Sequence, residues 1–228
     1  MEQIPDYIKI IFVFTTLLTI YFVYKAGNYS KTVIIGIISW LALQAFISLT
    51  GFYTFFDIMP PRFALLLFPP LLVIAILFII KRGRSFIDSL DVKTLTLLHI
   101  VRIPVEFILY WLFLYKVVPG IMTFEGNNFD LLSGLTAPFV YYFGYRRKLL
   151  GKTILVSWNI ACLLLLFNIV VTAILSAPTP FQYFAFDQPN IALLYFPFVW
   201  LPAFIVPVVL LSHLVALRQL IRKTQNVG

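Results

Sequence analysis

TILVSWNIACLLLLFNIVVTAILS, residues 153–176, runs without a charged side chain and follows a basic segment that holds Arg146, Arg147, Lys148 and Lys152. Roughly 20 consecutive apolar residues form a helix long enough to cross a bilayer core of about 30 Å. This stretch therefore reads as a membrane span. Six others pass the same test, at about 7–25, 32–51, 63–81, 94–119, 130–146 and 191–216. The span at 130–146 is the shortest. The expected fold is an all-α integral membrane protein, one transmembrane domain of seven helices over residues 1–228.

Composition agrees. The chain is 61% apolar and 11% charged, against about 45–50% and about 25% in soluble domains. A soluble core of this size could not enclose that much apolar surface. The N-terminal segment Met1–Asp6 has no basic stretch of the signal-peptide kind, so the first apolar run is expected to stay as a helix. Cys162 is the only cysteine, which excludes an intrachain disulfide.

Charge sets the orientation. With the spans above, Lys25, Lys31, Lys81, Arg82, Arg84, Lys93, Arg146, Arg147, Lys148, Lys152, Arg218, Arg222 and Lys223 fall on one side. The other side holds Lys9, Arg62 and Lys116 together with Glu2, Asp6, Asp57, Glu125, Asp130 and Asp187. Short Lys/Arg-rich loops stay in the cytoplasm, which predicts an outside N-terminus and an inside C-terminus in the cell (inner or plasma) membrane. The net charge of +8 is then a topology signal directed at anionic lipid, not at nucleic acid.

The chain also repeats itself. Tyr21-Phe22-Val23-Tyr24-Lys25 returns 121 residues later as Tyr142-Phe143-Gly144-Tyr145-Arg146, and Lys31-Thr32 as Lys152-Thr153. Ser39-Trp40 matches Ser157-Trp158, and Phe56-Asp57 matches Phe186-Asp187. Pro61 and Ala64–Pro69 match Pro189 and Ala192–Pro197. The matches keep one order, pairing helices 1–3 (residues 1–92) with helices 5–7 (residues 121–228) around a linker helix at 93–120. Each half has an odd number of spans, so one linker makes the two halves parallel. This 3+1+3 layout resembles, over the whole chain, the SWEET and PQ-loop class of small-solute transporters. That resemblance implies a solute site between the halves. The Pro-Gln pair of PQ-loop proteins is absent, and the repeated proline stands in helices 3 and 7. A retinal protein is excluded, because no lysine lies between Ile191 and Leu217.

Ionisable residues inside the membrane are costly and face the protein interior or water. His99, Arg102 and Glu106 on the linker helix fall on one stripe about 10 Å long, where Arg102 and Glu106 can pair at i,i+4. The stripe reads as a structural clamp or as a substrate or proton site. Pro104 frees the carbonyl of Ile100 and predicts a kink. His213 is expected near the cytoplasmic end of helix 7, at the depth of His99. Those two histidines are the metal or haem candidates.

On the outer side, Glu125, Asn128 and Asp130 form either a polar mouth or the N-cap of helix 5. Asp57 and Asp187 read as N-caps or as an acidic pair at the mouth, with Asn190 and Arg62 as aligned neighbours. Pro69 and Pro197 are expected to bend helices 3 and 7 at matching places. Gln44, Ser48, Asn159 and Asn168 are expected to bond between helices. About 20 helical residues, roughly 30 Å, separate His99 from Glu125, so the histidines and the outer carboxylates are expected in different places. No Ser/His/Asp set, HExxH or phosphate loop occurs, and nothing announces an enzyme or names a cofactor.

Three functional readings follow: a small-solute transporter, a haem- or metal-binding redox protein, and a receptor or assembly subunit. Membrane lipids, a small solute and a second copy of the chain are the candidate partners.

Overall fold

The computed structural model describes residues 3–55 and 61–225, with side chains to Arg222. Among these residues there is no strand. Helix α1 (Asp6–Ala26) has Asp6 in its first turn and Lys25 in its last, each favouring the helix dipole. A turn with Asn28 and Tyr29 at φ +53° and +59° leads into α2 (Lys31–Leu49). Helix α3 (Ala64–Ile79) carries Pro69 and Pro70, and it breaks at the extended residue Ile80. There the chain turns by 96° into α4 (Lys81–Ser89), the basic helix of that side. The bend is tight: a Cβ on Gly83 would lie 2.6 Å from the Leu77 backbone.

Asp91 opens the next helix by accepting from the Lys93 and Thr94 N–H groups. That helix runs over Val92–Leu114 as α5 (Val92–Leu98), a 3-10 turn at His99–Val101 and α6 (Arg102–Leu114). The tightened turn falls where Pro104 removes a backbone donor, and Val92–Leu114 still runs as one span. After α7 (Leu131–Phe139) the chain continues in π-helical turns to Arg146. Helix α8 (Lys152–Leu175) and helix α9 (Val206–Gln225), entered through π-helical turns at Leu201–Ile205, complete the bundle.

Five helices are long and apolar enough to cross a membrane, and the bent α3–α4 pair makes a sixth candidate. The distribution of side chains inverts that of a soluble protein. Phe14, Phe46, Leu49, Phe68, Leu164 and Phe167 are each more than 60% exposed, whereas Arg102, Glu106, Asn159 and His213 are 2% exposed or less. Lipid is the solvent that such a surface fits. Buried Thr15, Thr16 and Thr19 satisfy their hydroxyls on carbonyls four residues back, so α1 stays dry without interhelical partners. The helix over Val92–Leu114 is central, packed by α1, α7 and α9.

Several expectations need correction. The seventh span begins at Leu201, ten residues later than expected, and runs to Arg222. Ile191–Trp200 holds only a 3-10 turn and irregular chain, so Pro197 does not bend a helix. Pro197, Pro202 and Pro207 each withhold a donor, which leaves regular helix only from Val206. Asp187 is exposed in that irregular segment and caps no helix; the 3-10 turn that follows starts at Ala192 without a side-chain cap. Phe56, Asp57 and Pro60 lie outside the described residues. The fourth span stops at Leu114, five residues early, where Lys116 adopts φ +58°.

That early stop matters most. The chain from Val117 to Asp130 does not cross the outer surface but folds back into the bundle. Asn128 reaches Glu106, two turns below Leu114, and Asp130 reaches Arg102 one turn deeper. Helix α7 then descends beside the central helix, with Gly134 against Arg102 and Ile103. A Cβ at Gly134 would lie 2.8 Å from Ile103 Cγ1 and 3.1 Å from its backbone nitrogen, so only glycine permits this approach. The expected fifth span, 130–146, is helical from Leu131 to Arg146, and the irregular chain is the segment 117–130 before it. Such chain is tolerated at depth only when buried in protein with its polar groups paired. Here the Gly126 and Asn128 N–H groups donate to the Thr123 carbonyl, and Asn127 N–H donates to Ile121.

Candidate functional site

Arg102 lies ten residues above the start of a 23-residue helix, about 15 Å from one end and about 18 Å from the other. This is the middle of the span. Around it the chain gathers a polar core from four elements. Its Nη1 stands 3.1 Å from Asp130 Oδ1, with both side chains buried. The contact is an ion pair without hydrogen-bond alignment: none of the three guanidinium nitrogens has a hydrogen-bond partner among the described residues. Ser133 and Cys162 stand beside Asp130, with the Ser133 hydroxyl between them.

One turn towards the outer side, Asn128 Nδ2 donates to both Glu106 oxygens at 2.7 Å and to the Met122 carbonyl at 3.0 Å. Its Oδ1 accepts from Asp130 N–H at 3.0 Å. Asn128 therefore ties the re-entrant chain to the central helix. On the other side of Arg102, the His99 and His213 rings stack with centroids 3.8 Å apart and planes 15° apart. Asn159 Oδ1 bonds His213 Nδ1 at 2.8 Å, while His99 Nδ1 and His213 Nε2 have no partner. Trp158 packs edge-on to His99 at 5.6 Å and donates to Thr136.

The sequence reading separates into parts here. His99, Arg102 and Glu106 do share one buried stripe, but Arg102 pairs with Asp130 rather than with Glu106. Asn128 and Asp130 join the stripe instead of forming an outer mouth, and Asp130 makes no side-chain cap. The outer loop and the histidine region are therefore one continuous polar core, contrary to the separation expected from helix length. The error lay in carrying the fourth helix on to 119 and leaving Asn128 and Asp130 on the outer side. Glu125 stays outside, exposed beside Tyr110. Asn190 is buried near the outer end, donating to the Ala173 carbonyl.

His213 is not at a helix end, because α9 continues beyond it to Gln225. It stacks face to face on His99 with no gap between the rings. No group of three or more His, Cys, Asp or Glu among the described residues is placed to hold a metal ion. Asn159 was expected only as a helix-to-helix bond; it is also the residue that orients His213. Ser133 and Trp158 carried no signal beyond their places in the outer segment and in the repeated Ser-Trp pair. Gln188 was missed altogether. It donates to the Phe113 and Val118 carbonyls, closing the outer end of the central helix.

Two cavities flank the core. The outer one, of about 70 Å³, is lined by Leu66, Leu109, Met122, Asn190 and Leu201, so it touches both halves of the chain. Leu109 and Met122 separate it from Glu106 and Asn128. The larger, of about 460 Å³, lies among α1, α2, α3 and α9 and is apolar apart from Thr32, Trp40 and Ser212. Trp40 and Ser212 already donate to the Ala203 and Val208 carbonyls.

No curated protein and no solved structure matches this chain. A family model described as a domain of unknown function matches residues 60–221, a stretch that holds every residue of the polar core. The chain belongs to that family, DUF8737.

Proposed function

We propose that the protein is a small-solute permease of the cell membrane whose solute site is the mid-span polar core. The observation that carries this reading is Arg102, a guanidinium 2% exposed that has one ion-pair contact, with Asp130, and no hydrogen-bond partner on any of its three nitrogens among the described residues. A charge buried in a span is expensive, and an unsatisfied one more so. A packing clamp would be expected to pair its groups, as Asn128 does for Glu106. Donors left open at the bilayer midplane, beside a helix that starts there, are the arrangement by which transporters hold solutes.

The remaining organisation belongs to the same reading. Seven crossings, with an outside N-terminus, place the basic helix α4 and the segment 146–152 in the cytoplasm. The α7 crossing is completed by re-entrant chain. The two halves are parallel repeats around the central helix, and the outer cavity lies between them. The described conformation is occluded, since Arg102, Glu106, His99 and His213 are all buried.

The test is uptake. Purified protein in liposomes should accumulate or exchange at least one labelled solute from a panel of carboxylates, phosphate, sugars and amines. Vesicles that exclude the whole panel as well as protein-free vesicles do would remove the permease reading.

A further inference from the structure

We propose that the mid-span core takes a small oxyanion on the Arg102 guanidinium, and takes up one proton with each anion. The proposal rests on the permease reading and names the substrate class of the same site.

The argument is an inventory of donors and acceptors. Arg102 offers up to five N–H groups in a planar fork suited to carboxylate or phosphate oxygens. None is hydrogen-bonded among the described residues. His99 Nδ1 and His213 Nε2 are buried and have no partner; because His213 Nδ1 donates to Asn159 Oδ1, the Nε2 of the neutral ring is an acceptor. The open acceptors, Asp130 Oδ1 facing Arg102 at 3.1 Å and His213 Nε2, are fewer than the N–H groups of the guanidinium fork, while Asn128 already lies on both Glu106 oxygens. The missing partner must therefore be rich in acceptors. A cation would meet Arg102 first. A neutral polyol would bring as many donors as acceptors and leave the surplus in place.

Charge then demands the proton. Arg102 is the one guanidinium beside Asp130, and Glu106 is a second buried carboxyl of the same core, so a bound anion would add a negative charge that no further cation there compensates in a low-dielectric interior. When the anion's oxygens replace Asp130 on the guanidinium, the Asp130 carboxylate binds one proton from solution, and the net charge is unchanged. The groups that face Asp130 are Arg102 and Glu106 of α6, Asn128, Ser133 and, from α8, Cys162. His99 and His213 face Arg102 from the other side.

Thermal unfolding of the full chain in detergent, with lactate, acetate or inorganic phosphate against chloride at equal ionic strength, tests both parts. At least one oxyanion should raise the Tm. For lactate or acetate, which stay ionised throughout, the apparent affinity should tighten by about tenfold per pH unit as pH falls from about 8 to about 6, one proton per anion. Arg102→Lys keeps the charge but loses the fork, and should bind at least about tenfold more weakly. Asp88→Asn, at the cytoplasmic end, should bind as the wild type does. No shift with any of the three anions at any pH overturns the proposal. So does an unchanged affinity in Arg102→Lys, which would place the anion on the basic loops, and so does a pH-independent affinity. The permease reading fails separately: uptake of neutral solutes without anion binding sinks only the oxyanion site. Anion binding without any uptake sinks only transport.

Discussion

The molecule has two clusters of opposite charge, and they are built in opposite ways. At the basic end of the bundle Asp88 of α4 accepts from Arg218 Nε at 2.7 Å and from its Nη2 at 3.1 Å, and also pairs with Arg222. Gln219 donates to the Ile87 and Leu90 carbonyls beside it, so α4 is stitched to α9. At mid-span Arg102 meets Asp130 with no hydrogen bond on any nitrogen. The first cluster sits where water can share the load and its carboxylate is hydrogen-bonded by both arginines. The second sits where an unpaired charge is most costly and is left open. A structural clamp resembles the first; the second has capacity reserved for a partner.

Breaking the mid-span pair should have the largest effect. Arg102→Ala or Asp130→Ala strands one buried charge and should destabilise by about 3–5 kcal/mol, read as unfolding in detergent. The double variant Arg102→Leu with Asp130→Leu should recover most of that stability while abolishing uptake. If it retained uptake, the pair would be only a clamp. Gly134→Ala comes next. Its Cβ would press on Ile103 at 2.8 Å, and the overpacking should cost about 1–3 kcal/mol and push α7 away from Arg102. Asn159→Leu removes the partner of His213 Nδ1 and should cost about 1–3 kcal/mol, since a buried ring nitrogen is then unsatisfied. The 3.8 Å ring stacking should loosen with it.

The smallest effect is expected at the other cluster. Asp88→Asn should cost no more than about 1 kcal/mol, and less at high salt. The hydrogen bond from Arg218, chiefly, holds the Asp88 carboxyl below its ordinary range, with the charges of Arg218 and Arg222 adding to it against some desolvation. The sign follows from that depression. The stabilisation is complete above the ordinary carboxylate range and is lost as pH falls through the lowered folded-state value. An acid titration of stability should lose that component in Asp88→Asn.

What the sequence made legible was decided by physics that acts locally. Apolar length located α1, α2 and α8 to within two residues, because lipid requires that length whatever the neighbours do. Pro104 announced the 3-10 turn before Arg102. The intramembrane charges announced the stripe of His99, Arg102 and Glu106. The re-entrant chain was not legible, because Val117–Asp130 is apolar enough at its start to extend a helix on paper. Its fold is decided by Asn128 and Gly134 finding partners on another helix. The stacking of His99 on His213 was hidden for a related reason: equal depth was readable, but facing direction depends on packing. Irregularity after Ile191 came from three prolines acting together with the outer segment, where a single proline would have given a kink.

The most direct measurement compares the two clusters in one assay. Uptake of the solute that wild-type protein transports into liposomes is measured for Arg102→Gln and Asp88→Asn, each confirmed as folded by its elution and unfolding transition. The account predicts that Asp88→Asn transports at close to the wild-type rate while Arg102→Gln falls to the rate of protein-free vesicles. Equal transport by both variants, or loss only in Asp88→Asn, would contradict a solute site at the mid-span core.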